Sequence, residues 1–157
     1  MIKFLCTLAI SIAFLITFSS TSAFQMPDID LPEGFTIKVL TDQVPGARSM
    51  ALGDKGTLFV STMREGKVYA VSGIDSEPEV LTIASGLYMP NGVAFKDGDL
   101  YVAEIHRVHK FEDIEDRLNA PKSRIINKSY PTDRHHGWRY ITFGPDGKLY
   151  IPIGSPC

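Results

Sequence analysis

The stretch GVAFKDGDLYVAE, residues Gly92–Glu104, contains two apolar runs separated by a short polar turn. An Asp-Gly pair between apolar runs favours a tight hairpin, because glycine accepts the positive φ that such a turn requires. The alternation of apolar and polar residues in DLYVAE is typical of a strand with one buried face. The stretch therefore predicts a β-hairpin that turns at Gly98.

Two further stretches repeat this pattern on either side. MALGDKGTLFVST begins at Met50, and YITFGPDGKLYIPIG begins at Tyr140. The three turn glycines, Gly56, Gly98 and Gly147, are 42 and 49 positions apart. A repeat of this length is typical of the blades of a β-propeller.

The residues after the first hairpin predict the rest of a blade. GKVYAV, residues 66–71, and EPEVLTIAS, residues 77–85, each have the composition of a strand. We therefore expect an all-β chain, a partial β-propeller with about two blades and the start of a third. A β-sandwich with coincidental turns is the alternative. The segment FEDIEDRLNAP, residues 111–121, predicts a short helical insertion between the second and third blades.

The first residues have the three parts of a secretory signal peptide. Lys3 precedes an uncharged apolar run, Phe4–Phe18, and SSTSA then offers a cleavage site after Ala23. A retained membrane anchor is the alternative, but the run is shorter than the ~20 residues that a spanning helix needs. We expect a signal peptide at 1–23, an incomplete propeller at 24–157, and an exported protein, periplasmic or extracellular, without stable membrane association after cleavage.

Two observations predict that the sequence is a fragment or the product of an interrupted gene. Cys157 would be the only cysteine left after Cys6 departs with the signal peptide, which suggests a partner encoded further downstream. About two blades also cannot close a ring, since stable propellers have about 4–8 blades. The net charge of −2 argues against a nucleic-acid partner.

The third repeat carries a distinct group of residues before its first strand. His135 and His136 precede Trp138 and Arg139 in the segment TDRHHGWRY. A histidine beside a propeller channel is suited to act as a general base, because its ordinary pKa is near neutrality. The other interpretation is that one histidine caps a loop and the other faces solvent. Adjacent residues of an extended chain point to opposite sides, so the two do not form a chelating pair without a bend.

The segment HHGWRYITFGPDGKLYIPIG, with His135 four residues before Arg139, resembles the soluble pyrroloquinoline-quinone (PQQ)-dependent glucose/sorbosone dehydrogenases. The similarity is strongest to the L-sorbosone dehydrogenase-like branch. Residues 31–62 also resemble the opening blade of that family. The resemblance implies a six-bladed propeller and an oxidoreductase that acts on a small sugar and passes electrons to an unidentified acceptor. It also implies PQQ and calcium as cofactors.

The resemblance assigns roles to a few residues. His135, with His136 as the fallback, would take the proton of a sugar hydroxyl as hydride passes to the quinone. Arg48, from its position just before the first repeat's inner strand, would either form a surface salt bridge or meet a cofactor carboxylate or a substrate oxygen. Arg139 would lie on the cofactor side, supporting the fold or the rim of the site. Most quinone-binding residues, and all the calcium ligands, are expected beyond Cys157, so this chain alone would be inactive.

A second resemblance keeps another activity open. YMPNGVAFKDGDLYVAE is similar to the gluconolactonase/regucalcin-like propellers, in which an asparagine such as Asn91 is a metal ligand. The alternative is that Asn91 only begins a turn. The sequence also allows a third function, that of an exported binding scaffold without chemistry. Three nearby titratable residues carry no predicted role, with the histidines interpreted as surface or packing residues: Glu104, His106 and His109.

Overall fold

The computed structural model describes residues 28–154, in which nearly all regular structure is β-strand. The predicted signal peptide at 1–23, with Cys6, and the terminal Cys157 lie outside the described residues. No helix within the described range is long and apolar enough to cross a membrane.

The first sheet is an antiparallel meander that we call blade 1. Its strands are hydrogen-bonded in the order in which they follow along the chain. The tight turn after its innermost strand contains Gly56, whose φ of 84° lies in the region that favours glycine. The strands are β1 (Ala47–Leu52), β2 (Leu58–Thr62), β3 (Lys67–Ser72) and β4 (Glu79–Ala84).

The second sheet, blade 2, repeats this meander and is followed by the first hairpin of a third unit. The register confirms the predicted turn at Gly98, since Lys96 pairs with Asp99 across it. Two blades and the start of a third are therefore present, as the repeats predict. The strands are β5 (Gly92–Lys96), β6 (Asp99–Ala103), β7 (Val108–Phe111) and β8 (Ser123–Asn127), then β9 (Thr142–Phe143) and β10 (Leu149–Tyr150).

The prediction of a helical insertion between blades at residues 111–121 is wrong. The segment joins β7 to β8 within blade 2, and its only helix is a single 3₁₀ turn at Ile114–Asp116. Tertiary contacts explain the difference. Ile114 is fully buried in the core, and the Glu115 carboxylate accepts hydrogen bonds from the backbone N–H groups of Lys55 and Thr57 in blade 1. These contacts, between residues distant in sequence, hold the segment in one compact turn.

Apolar side chains fill the space between neighbouring units. One cluster joins blades 1 and 2, with Phe59 and Val68 facing Leu100 and Val102. A smaller cluster around Ile141 joins blade 2 to the β9–β10 hairpin. The innermost strands β1, β5 and β9 thus lie side by side, and all three begin at the same end of the sheets, which we call the upper face.

Candidate functional site

Loops of all three units surround an open cleft at the upper face, with a volume of about 630 Å³. The β2–β3 turn forms one side, the β4–β5 connection a second, and the segment before β9 a third. We call it the upper-face cleft. Its lining residues are Met63, Arg64, Leu87, Tyr88, Met89, Arg134, His135 and Trp138.

The sequence-predicted base, His135, lies on the border of this cleft and is exposed. The fallback, His136, is also exposed but faces an adjoining pocket of about 140 Å³, which His135 lines as well. The two imidazole rings lie 4.3 Å apart between centroids. His136 has a φ of 54°, so the chain bends between the two residues instead of continuing as an extended strand.

The bend depends on close backbone packing. The Gly137 N–H donates a hydrogen bond to the Arg134 carbonyl at 3.3 Å. A β-carbon on Gly137 would lie 2.0 Å from the Asp133 carbonyl oxygen, so no other residue fits without a shift of the loop. The segment 133–137 is therefore a defined turn that fixes where His135 emerges.

Arg139 supports this turn from below. Its side chain is 1% exposed, with Nε donating to the Ile105 carbonyl at 2.9 Å and Nη2 to the Pro131 carbonyl at 3.1 Å. Burial lowers the pKa of the Arg139 guanidinium, which nevertheless stays protonated. Arg139 lines the adjoining pocket together with His135 and His136, and its hydrogen bonds support the turn that carries both histidines.

Arg48 lies at the start of β1 and reaches toward the other two units. Its Nε donates to Oδ1 of Asn91 at 3.0 Å, and its guanidinium carbon lies 5.4 Å from the centroid of the Trp138 ring. Among residues 28–154 no carboxylate lies within ion-pair distance of Arg48. The side chain adjoins the cleft through Trp138.

The side chain of Asn91 joins Arg48 to the backbone of Arg139, so this residue does more than begin a turn. It is 7% exposed, and both ends of its amide are used: Oδ1 accepts from Arg48, while Nδ2 donates to the Arg139 carbonyl at 3.1 Å. A metal ion at Oδ1 would have to displace a guanidinium, which also repels cations. The geometry therefore does not favour the metal-ligand role that the lactonase resemblance implies.

A buried ionic cluster lies beneath the cleft, and sequence reasoning missed it. Glu104 is fully buried and accepts hydrogen bonds from Arg107 (Nε, 2.6 Å), from His109, and from the Tyr88 backbone N–H at 2.7 Å. Burial alone would raise the pKa of Glu104, but the hydrogen bonds of His109, Arg107 and Tyr88 outweigh it and lower the pKa to about 2. The cluster anchors the loop that carries Tyr88, and the ring of His106 packs edge-on against Tyr88.

The charges around the cleft favour an anionic, flat ligand. Arg64 and Arg134 line it, and neither has a carboxylate partner within the part of the chain that the structure describes. Tyr88 and Trp138 add aromatic surface. These donors fit one wall of a site for a planar quinone carrying several carboxylates. No three His, Cys, Asp or Glu side chains within residues 28–154 are placed to hold a metal ion.

Similarity in sequence to known proteins does not assign this chain to a family. No protein-family profile matches the chain. A curated relative, an uncharacterized protein of Borreliella burgdorferi, is 23% identical over 161 residues, covering 93% of this chain and 41% of that protein. The chain therefore spans about two fifths of this relative's length.

Two solved structures share the architecture. The PQQ-bound form of an aldose sugar dehydrogenase from Streptomyces coelicolor is 16% identical, with a TM-score of 0.58 over 75% of this chain and 40% of that one. Virginiamycin B lyase from Staphylococcus aureus is 15% identical, with a TM-score of 0.51 over 71% and 36%. These similarities confirm the predicted fold: the chain forms part of a β-propeller.

Proposed function

We propose that this chain is part of a quinone-dependent dehydrogenase of aldoses and related sugars. The observation that carries the proposal is the position of His135, exposed on the border of a cleft lined by arginine and aromatic side chains. The motif from His135 to Arg139 supports it, as does the similarity in fold to a PQQ-bound aldose sugar dehydrogenase. The geometry at Asn91 argues against the lactone hydrolase, because the Arg48 guanidinium occupies the amide oxygen that would bind the metal.

In this proposal the chain's own residues bind, orient and deprotonate. The imidazole of His135 accepts the proton of the sugar hydroxyl that is oxidised. Arg64 and Arg134 hold carboxylates of the quinone, while Trp138 and Tyr88 supply flat surface for its rings. When bound, the quinone supplies the acceptor for the hydride. Further cofactor contacts and the calcium ligands are expected outside residues 28–154, within which no three His, Cys, Asp or Glu side chains are placed to hold a metal ion.

The test uses the protein made from the whole open reading frame that contains these residues. We expect reduction of an artificial electron acceptor in the presence of an aldose, dependent on added PQQ and calcium. His135→Gln should lower kcat by about 10²–10⁴-fold, the usual cost of a lost general base. Arg124→Gln is the control, because Arg124 forms an exposed pair with Glu112 and lies outside the lining of the cleft, and it should retain activity.

The outcome also separates the two histidines. If His135→Gln keeps its activity and His136→Gln loses it, the base is His136. If both variants keep activity, neither histidine is the base and the mechanism is wrong. If the wild-type protein oxidises no aldose with PQQ and calcium present, the proposed function itself fails.

Export is a separate proposal that rests on the first 23 residues. Cleavage after Ala23 would give a mature protein that begins at Phe24. Mass spectrometry of the protein recovered from its native host checks this. A mass that includes residues 1–23 would contradict cleavage and favour the membrane anchor.

A further inference from the structure

Asn91 connects three units of the propeller at the point where their innermost strands begin. Its backbone N–H donates to the Ala103 carbonyl of blade 2 at 3.0 Å, and its carbonyl accepts from the Ser61 hydroxyl of blade 1. Its side chain then joins Arg48 of blade 1 to the Arg139 carbonyl of the third unit. All hydrogen-bonding groups of this nearly buried residue are engaged with partners from three units.

Both side-chain contacts of Asn91 act on the same tryptophan. Through Arg48, Asn91 holds a guanidinium over the ring of Trp138. Through the carbonyl of Arg139, it fixes the backbone directly after Trp138. The neighbouring Gly92 allows the backbone of Arg139 to approach this closely. A β-carbon at Gly92 would lie 2.5 Å from the same carbonyl oxygen. The ring of Trp138 is thus held from one side and its backbone from another.

Trp138 and His135 are three positions apart in one closely packed turn, so the backbone position of one affects the position of the other. Gly137 lies between them, packed closely against the Asp133 carbonyl oxygen and donating its N–H to the Arg134 carbonyl. The Arg139 side chain also ties back to the Pro131 carbonyl, which closes the segment 131–139 into a loop. A shift of the loop base at Arg139 therefore moves the imidazole at its tip.

We propose that Asn91 is a positioning residue that sets the place of Trp138 and His135 in the upper-face cleft. The expected effect on kcat rests on the proposed function, whereas the expected effect on the surroundings of Trp138 does not. A purely structural asparagine would affect only the stability of the fold. A positioning residue also changes the surroundings of Trp138 and the rate of the chemical step in protein that remains folded.

The variant Asn91→Leu removes both side-chain hydrogen bonds and keeps the branched shape of the side chain. Trp138 is the only tryptophan of the 157 residues, and subtraction of the spectrum of Trp138→Phe isolates its emission in the complete protein. Without cofactor, we expect the Trp138 emission of Asn91→Leu to move to longer wavelength and its quenching by acrylamide to increase. With cofactor, we expect kcat to fall by roughly 10–100-fold and KM to change less, as misplaced reacting groups do.

Asn119→Leu is the matched control, because Asn119 is exposed in the β7–β8 connection and lies outside the cleft. It should change neither the Trp138 emission nor kcat. If Asn91→Leu is folded by circular dichroism but keeps both the wild-type emission and a wild-type kcat, Asn91 is not a positioning residue. If Asn91→Leu does not fold, Arg48→Met tests the same chain of contacts, and an unchanged Trp138 emission in that variant overturns the proposal.

The two proposals fail separately. Absence of dehydrogenase activity in the wild-type protein would reject the proposed function. The emission of Trp138 in Asn91→Leu and Arg48→Met, measured without cofactor, would still decide whether Asn91 controls the geometry of the cleft.

Discussion

Arg48 and Asn91 are 43 positions apart, yet the Nε of Arg48 donates a hydrogen bond to Oδ1 of Asn91 at 3.0 Å. Each residue lies at the upper end of an innermost strand, β1 in one case and β5 in the other. The bond therefore joins two blades at the face that carries the candidate site. Because both groups are fixed by further contacts, the relative position of the blades and the shape of the cleft depend on each other.

The first prediction concerns the contact between blade 2 and the third unit. In Gly92→Ala the new β-carbon would lie 2.5 Å from the Arg139 carbonyl oxygen and 2.8 Å from the Ile141 nitrogen. Since both are backbone atoms, the units must separate, and we expect a loss of about 1–3 kcal/mol in the free energy of unfolding. Chemical denaturation of the complete protein measures it.

Gly56→Ala provides the comparison for that variant. No atom lies within 4 Å of a β-carbon there, and the cost comes only from the φ of 84°. We expect about 1–2 kcal/mol without any effect on the cleft. The distinguishing result is activity, which should fall in Gly92→Ala and persist in Gly56→Ala. Equal activity in the two would show that the packing at Gly92 does not matter for the site.

The second prediction concerns the guanidinium beneath the loop. Arg139→Lys replaces a planar fork that donates to the carbonyls of Ile105 and Pro131 by a single ammonium that cannot reach both in the same geometry. We expect a loss of about 2–3 kcal/mol in unfolding free energy, since hydrogen bonds from charged groups are strong when buried. Arg124→Lys, at an exposed pair with Glu112, should cost less than about 1 kcal/mol. Similar costs at both sites would contradict the structural role of Arg139.

The third prediction concerns acid stability. The folded protein lowers the pKa of Glu104 from 4.5 to about 2, because the hydrogen bonds of His109, Arg107 and Tyr88 overcome the effect of burial. A carboxyl whose pKa is lowered by folding stabilises the protein above its unfolded value, and this stabilisation is lost as the pH falls toward the folded value. The contribution is on the order of 3 kcal/mol at neutral pH.

We therefore expect the unfolding free energy to decrease between pH 4.5 and pH 2. In Glu104→Gln this decrease should be smaller, while the stability at neutral pH should already be reduced. Glu112→Gln, at an exposed pair, gives the baseline. If Glu104→Gln and the wild-type protein lose stability equally over this pH range, the cluster does not contribute as proposed.

The fourth prediction tests the core between the blades. Leu100 is fully buried in the cluster that joins blades 1 and 2, so Leu100→Ala should cost about 2–5 kcal/mol. Leu52 is 58% exposed on the innermost strand of blade 1, and Leu52→Ala should cost less than about 1 kcal/mol. Differential scanning calorimetry measures both. A small effect at Leu100 would mean that the two blades are not held by this cluster.

The sequence predicted the repeated hairpins well because their information is local. The positive φ at Gly56, Gly98 and Gly147 is a property of the turn itself, and the apolar residues on either side define the strands. The wrong helix at 111–121 came from the same local reasoning. There, the carboxylate of Glu115 binds backbone groups of blade 1, and such a contact leaves no periodic pattern in the sequence.

The candidate site was predicted in part for the same reason. The motif from His135 to Arg139 is contiguous, so its position before a strand was visible. The roles of Asn91 and Glu104 could not be predicted from the sequence. Asn91 bonds to residues 43 and 48 positions away, and the Glu104 cluster depends on a backbone N–H at Tyr88 that no sequence pattern marks. Contacts between units need the packed blades before they can be recognised.

The carboxylate of Glu115 has a consequence for motion. It fastens blade 2 to the lower turn of blade 1 at Lys55 and Thr57, at the opposite end from the bond between Arg48 and Asn91. The two sheets are therefore joined at both ends. A movement of one blade relative to the other would have to break the hydrogen bonds at one of these ends.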